Sequence, residues 1–240
     1  MKRPLILAAA FVVLAAIAVA AVAGFWLLRS DDPNLLTEAP AIPTSSARGA
    51  DVAPTAGAAP DLPYGVRRFV VVPGESSAKY VVEETLRGLP ATAVGTTTDV
   101  TGEIYLTKDG LYMDTPSKFR VDLRTLKTDE SMRDNYIRQN VLRTGQFPFA
   151  DFVVEGVTGF PSAYSEGSEI SLTLNGTMTL RGRSEPLAFT VKARQAGNTL
   201  TATADAQFNM TGFGIEPPSV PLARAKDGVI LQVVLIAREV

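Results

Sequence analysis

The stretch ISLTLNGTMTL, from Ile170 to Leu180, decides the fold of this chain. Apolar residues occupy every second position of the stretch, and Gly176 is the one gap on the apolar side. Successive side chains of a β-strand point to opposite faces, and helical spacing does not produce period two over this length. The stretch therefore predicts an antiparallel strand with one buried face and one solvated face.

The same alternation recurs around this stretch. It predicts about eight or nine strands, at 68–72, 77–84, 100–107, 119–123, 152–157, 170–180, 187–194, 200–208 and 229–237. The Gly/Thr-rich segment before Val100 is interpreted as a loop, and Asp109-Gly110 as a hairpin turn, because this pair readily adopts positive φ angles. Residues 128–143 predict one crossover helix. Acidic residues lie near its start, arginines lie near its end, and Gly145 is expected to stop it. Hairpins at this spacing indicate a closed barrel or a sandwich.

The composition excludes most catalytic chemistry. The chain has no cysteine and no histidine, and its formal net charge is -2. Disulfides, the usual zinc, copper and haem ligand sets, and nucleophilic sites that use histidine as the base are therefore excluded. The scattered charges give no electrostatic case for a nucleic-acid partner. We expect a binding protein without a metal or cofactor rather than an enzyme.

The N-terminus predicts a membrane anchor and a tether before the domain. An uncharged apolar run covers residues 5–28, which exceeds an ordinary signal-peptide core and suffices to span a bilayer. A cleaved signal peptide, with a small-residue site at Ala21–Ala23, is the alternative. Lys2 and Arg3 before the run predict a single-pass cell-membrane protein with a cytoplasmic N-terminus and an extracytoplasmic C-terminal domain. We assign 1–29 to the anchor, 30–63 to a Pro/Ala-rich linker and 64–240 to the folded domain.

Alanines in one strand bear on the choice between barrel and sandwich. Leu200, Ala202, Ala204, Ala206 and Phe208 form the apolar face of their strand, and the middle of that face is small. An eight-stranded barrel has room for one small ligand when its interior is not filled by side chains. The alternative is that these alanines only accommodate large residues from opposite strands.

Three segments resemble the YceI-like family of polyisoprenoid-binding proteins. They are VDLRTLKTDESMRDNYIRQNVLRTGQFPFADFVV (121–154), GTMTLRG (176–182) with PLAF (186–189), and FGI (213–215). Matching positions of the family pattern are Thr128, Arg133, Asp134, Pro148 and Gly182. The chain departs from that pattern at two histidine positions, one of them at Tyr136 and the other within residues 74–79.

The resemblance implies an all-β, extended antiparallel eight-stranded lipocalin-like barrel with one crossover helix. It also implies an isoprenoid lipid or quinone-like ligand held in an apolar lumen. Combining this with the alternation, the candidate lumen residues are Phe119, Val121, Leu123, Phe152, Leu172, Leu174, Met178, Phe189, Val191, Ala202, Ala204, Ala206 and Phe208. A ligand-free barrel acting as an interaction or stress-response module at the cell envelope is the alternative function.

Overall fold

The computed structural model describes residues 61–240, so the predicted anchor and nearly all of the predicted linker lie outside the described residues. None of the helices in this range is long and apolar enough to cross a membrane. The strands are β1 (Arg67–Val71), β2 (Ser77–Leu86), β3 (Leu89–Thr97), β4 (Val100–Thr107), β5 (Gly110–Leu111), β6 (Lys118–Asp122), β7 (Phe149–Thr158), β8 (Glu169–Leu180), β9 (Arg183–Ala196), β10 (Thr199–Asn209), β11 (Ser219–Val220) and β12 (Ala223–Glu239). The α-helix α1 covers Ser131–Tyr136, and 3-10 turns cover Leu123–Thr125 and Met210–Phe213.

The strands close into one antiparallel barrel. From β4 through β6, β7, β8, β9 and β10 to β12, each barrel strand pairs with the next one along the chain. The far edge of β12 pairs with β2 and then with β1, which closes the sheet. β1 and β2 are two halves of one barrel strand, as are β3 and β4, because both halves run along the same neighbour. Eight long strands therefore surround the interior, which confirms the predicted barrel.

The bend between β1 and β2 is held against β12. It contains Pro73 and Gly74, whose φ of 81° lies in the left-handed region that favours glycine. The Val72 N–H donates to the Ile236 carbonyl at 2.9 Å. The Ser76 hydroxyl accepts from the Ile236 N–H at 3.0 Å. These bonds satisfy backbone groups that the interrupted ladder would otherwise leave unpaired.

One predicted loop is wrong, because the Gly/Thr-rich segment forms most of β3. The middle of its inward face carries only small residues, Ala91, Ala93 and Gly95, so the apolar half of the alternation is hard to recognise in the sequence. Gly95 lies opposite Tyr80 of β2. A Cβ on Gly95 would lie 2.2 Å from Cε1 of that tyrosine, so the missing side chain makes room for the ring.

The crossover helix is confirmed, but its end differs from the prediction. After α1 the chain continues as a π-helical turn over Ile137–Val141, in which the Leu142 N–H donates to the Ile137 carbonyl at 2.8 Å. The chain then leaves the helix at Arg143, whose φ is 52°, rather than at Gly145.

Gly176, the gap in the alternation of β8, marks a close approach between strands. A Cβ there would lie 2.1 Å from the Val153 carbonyl oxygen of β7. The register between β7 and β8 shifts between Val154 and Gly156, so β7 carries a bulge at this point. Glycine is therefore required by the backbone of the neighbouring strand.

Candidate functional site

The barrel encloses a cavity of about 770 Å³, which lies in the range of small-molecule binding sites. The inward residues Ile170, Leu172, Leu174, Met178 and Leu180 of β8 all line it. At about 3.3 Å per residue, the cavity therefore follows this strand for roughly 33 Å. Its walls are mostly aliphatic and aromatic, as the alternation of the strands dictates.

Nearly all the residues predicted to face the lumen line this cavity. These are Phe119, Val121, Leu123, Phe152, Leu172, Leu174, Met178, Phe189, Val191, Ala202, Ala204 and Phe208. Ala206 is buried but does not line the cavity. The strand pattern places Ala206 on the inner face. It does not show whether the space beside an inward residue is filled by other side chains or belongs to the cavity. That these residues contact a ligand stays a prediction.

The volume lies beside small residues. Ala202 and Ala204 of β10 border the cavity, and Ala193 of β9, the direct neighbour of Ala202, does so as well. Elsewhere the wall is bulky: the rings of Phe152 and Phe189 meet edge to face with centroids 4.9 Å apart. Space remains next to Ala202 and Ala204, which favours the interpretation that they make room for a ligand.

The cavity reaches solvent-exposed residues at both ends of the barrel: at one end through Gly65 and Lys108, and at the other where α1 crosses. Met132, Tyr136 and Val220 line the cavity and are also exposed, Met132 to 76%. Leu89 and Leu222 are exposed at the same end, where the Arg87 N–H donates to the Leu222 carbonyl at 2.7 Å. We call these five residues the apolar rim. Large apolar side chains grouped around an opening indicate contact with something other than water.

A polar cluster lies just inside this end. Arg133 of α1 and Glu84 of β2 both line the cavity, and the Arg133 Nη2 donates to the Glu84 Oε1 at 3.3 Å. The Arg133 Nη1 donates to the Asp129 Oδ1 at 2.6 Å. Asp134, the neighbour of Arg133 in the family pattern, instead accepts hydrogen bonds from the backbone N–H and the hydroxyl of Thr128 at 2.8 and 2.7 Å. Arg133 thus joins the helix to the barrel wall, and Asp134 holds the segment that leads into the helix.

Tyr80 completes the cluster. It also lines the cavity, and its hydroxyl oxygen is buried without a hydrogen-bond partner among the described residues. Burial raises the pKa of Tyr80 well above its ordinary value of 10.0, with Arg133 opposing that shift and Asp134, Glu84 and Asp129 adding to it. The phenol is therefore neutral at physiological pH and carries a proton that it can donate.

Sequence reasoning did not include Tyr80 in the site. It also missed Glu84 and the lining residues contributed by the helix. The available signal was a tyrosine at an inward position followed four residues later by a glutamate at another. Among the described residues no group of carboxylates is arranged to hold a metal ion.

A closed antiparallel barrel with an apolar cavity along its length defines a small-molecule-binding β-barrel. Residues 69–237, well over half of the chain, match the model of the family described as YceI-like domain. The chain therefore belongs to the YceI-like family, which confirms the resemblance seen in the sequence. No curated protein sequence is detectably similar to the chain.

Solved structures of similar fold agree with this assignment. BcnA of Burkholderia cenocepacia is 15% identical, with a TM-score of 0.54 over 69% of this chain and 98% of its own. A polyisoprenoid binding domain from Saccharophagus degradans is 12% identical, with a TM-score of 0.56 over 72% of this chain and 98% of its own. The YCEI protein of Campylobacter jejuni is 13% identical, with a TM-score of 0.50 over 61% of this chain and 84% of its own. At these identities the likeness shows the fold alone.

Proposed function

We propose that this protein is a membrane-tethered extracytoplasmic lipid-binding protein that holds a polyisoprenoid or similar long apolar chain in its barrel. The observation that carries the proposal is the continuous apolar cavity that follows β8 from Ile170 to Leu180. Membership of the YceI-like family and the fold shared with a polyisoprenoid binding domain support the same ligand class.

Binding of such a chain requires no chemistry beyond burial. Removing apolar surface from water stabilises a complex by about 25 cal/mol per Å². A long hydrocarbon chain offers a large apolar surface, and a cavity lined by Leu172, Phe189 and Val191 offers the matching wall. The protein acts as a carrier or a sequestering protein.

The apolar rim supports loading from a membrane. Leu89, Met132, Tyr136, Val220 and Leu222 are exposed at the end of the barrel where α1 crosses, and three of them, Met132, Tyr136 and Val220, line the cavity. A hydrocarbon chain that passes from a bilayer into the barrel across such a rim avoids a fully aqueous step. An N-terminal anchor would keep the barrel within reach of that bilayer.

The ligand proposal is tested by extracting lipid from the full chain, purified from its native membrane in polymer nanodiscs. We expect one polyprenyl-type species per protein by organic extraction and mass spectrometry. The matched control is the Ala204→Trp variant prepared in the same way, since it controls for lipid carried over with the membrane. Equal lipid in both preparations would contradict binding in the lumen and leave the ligand-free interaction module as the function.

The topology proposal is tested separately by intact-mass measurement of the native protein. Lys2 and Arg3 before an over-long apolar run lead us to expect a chain that retains its N-terminus and partitions with membranes. External protease should reach the barrel domain in spheroplasts. A mature chain beginning near Gly24 would show a cleaved signal peptide instead.

A further inference from the structure

β12 is apolar on both of its faces between Val229 and Ala237. The residues of this stretch that line the cavity are Val229, Leu231, Val233 and Leu235, and those on the outside are Ile230, Gln232, Val234 and Ile236. The outer positions of β8 are instead Ser171, Thr173, Asn175, Thr177 and Thr179. A strand with two apolar faces is typical of one that is covered on both sides. The outer wall of the barrel at β12 therefore differs from the outer wall at β8.

Outward side chains around β12 are buried, as this pattern indicates. Thr201 and Thr203 of β10, Gln232 of β12 and Val81 of β2 are at most 2% exposed, although all four point away from the lumen and do not line the cavity. We call these four residues the covered wall. On the neighbouring strand β9, the outward Thr190 is exposed.

The cover of this wall is part of the chain, because the burial occurs in a single copy of it. The described strands that pair with β10 and β12 lie beside them in the same sheet, and not across their outer face. A further segment of the chain is therefore needed to cover Thr201, Thr203 and Gln232.

The start of the described chain lies next to the covered wall. β1 pairs with the end of β12, with Val71 opposite Ala237. Just before β1, the Val66 N–H donates to the Pro63 carbonyl at 3.2 Å, which closes a β-turn. A β-turn reverses the chain, so the residues before Pro63 run back beside the barrel and not away from its end. Leu62 is accordingly half-buried without lining the cavity.

We propose that residues 35–60 of the Pro/Ala-rich linker pack along the covered wall, so that this part of the linker is bound to the barrel and is not a free spacer. These residues lead directly into the turn that begins at Pro63. The inference concerns the outer wall of the barrel and does not depend on the ligand in the lumen.

The linker fits this wall in length and in charge. From Ile236 to Ile230 the outer face of β12 extends for roughly 20 Å, at about 3.3 Å per residue. An extended chain covers that distance with about six residues, far fewer than the linker has. The covered wall has no formal charge, and between Pro33 and Ala47 the linker has one charged residue, Glu38.

The test uses the absence of cysteine from the chain. Thr203→Cys places a single thiol on the covered wall, and the matched control Thr190→Cys places one on the exposed wall of the next strand. Maleimide labelling rates of both variants are measured on the full chain in polymer nanodiscs and are normalised to the rates in denaturant. The measurement is repeated after residues 35–60 are replaced by a Gly/Ser segment of equal length. The double substitution Leu35→Asp with Leu36→Asp is a milder change of the linker.

We expect Thr203→Cys to react at least about tenfold more slowly than Thr190→Cys when the linker is intact, because labelling then requires the linker to leave the wall. Replacing the linker should bring the rate of Thr203→Cys close to that of Thr190→Cys, which should itself stay unchanged. The aspartate substitutions should raise the rate of Thr203→Cys in the same direction, since they place charge against a neutral wall.

Equal labelling of Thr203→Cys and Thr190→Cys with the intact linker would overturn the proposal. Slow labelling of Thr203→Cys that neither linker change relieves would also overturn it. If that slow labelling disappears when each nanodisc holds a single chain, a second copy covers the wall in place of the linker.

Discussion

The inner faces of β8 and β10 face the same cavity with opposite kinds of side chain. β8 presents Ile170 and Leu172, whereas β10, two strands away, presents Ala202 and Ala204 in register with them. Both strands alternate with the same period, so both were assigned to the barrel wall for the same reason. The difference shows that period places a residue inside, while side-chain size determines whether the interior is filled.

A further contrast lies within β10 itself. Ala204 and Ala206 are on the same face, two positions apart and both buried, yet Ala204 borders the cavity and Ala206 does not. Identical residues on one face therefore have different roles. Substitutions at these positions separate binding from stability.

The largest effect is expected at Ala204. Ala204→Trp places a side chain of up to ~250 Å² into the cavity, so lipid recovered with the protein should be almost completely lost. Because the space is already present, the melting temperature should change little. Organic extraction and circular dichroism melts of the same preparations measure the two effects.

The control for Ala204→Trp is Thr173→Trp, at a position of β8 that points away from the lumen. It should keep the lipid. A melting temperature lowered by Ala204→Trp, with no lipid in the parent protein, would show that the alanines of β10 are ordinary core packing.

The next effect concerns the one small residue on the inner face of β8. Gly176→Ala should destabilise the fold by about 3 kcal/mol, because the added methyl group meets a backbone carbonyl that cannot turn aside. Urea unfolding measures this. Gly156→Ala is the matched control, since a Cβ there meets nothing within 4 Å; equal losses from both would contradict the close approach.

A smaller loss is expected when the packed alanine is enlarged. Ala206→Trp should reduce the free energy of unfolding by about 1–3 kcal/mol through overpacking, in contrast to the tolerated change at Ala204. Gln207→Trp, at the exposed neighbouring position, should be nearly neutral. A stable Ala206→Trp variant that loses its lipid would place Ala206 in the binding site.

The smallest effect on stability is expected at the ion pair between β1 and β12, the two strands whose pairing helps to close the barrel. Arg67 of β1 donates to Glu239 of β12 at 2.9 and 2.6 Å, and these hydrogen bonds hold the pKa of Glu239 below its ordinary value of 4.5 despite partial burial. The stabilisation is present above that value and is lost as the pH falls through the lowered pKa. Because the pair is partly exposed, its contribution is under about 1 kcal/mol.

Glu239→Gln should therefore lower the melting temperature slightly at pH 7, and the gap between parent and variant should narrow in acid. Thermal melts across pH 3–7 measure this. Glu83→Gln, which removes the exposed pair with Lys226, is the control and should have no effect. A gap that stays constant with pH would mean that Glu239 acts through packing.

The strands and most of the cavity wall could be predicted because strand alternation is a local signal, whereas the choice of a barrel over a sandwich came from the resemblance to the YceI-like family. β8 and β9 carry it clearly, and the crossover helix was recognisable by its change of period. β3 was missed because its inward residues are small, so that Ala93 and Gly95 leave no apolar contrast. The stop residue of the helix was missed because Arg143, and not Gly145, adopts the left-handed conformation, and an arginine gives no sequence signal for it.

Alternation along the chain was sufficient to place Leu172, Phe189 and Ala204 on the buried faces of their strands, because facing alternate sides is a property of each strand alone. The requirement for glycine at Gly176, the difference between Ala204 and Ala206, and the unpaired hydroxyl of Tyr80 depended on which strands pair and in what register. Those contacts join residues far apart in the chain: Tyr80 meets Gly95 across a strand pair and Arg133 through the crossover helix. No local pattern encodes such distances, since closure of the barrel sets them all together.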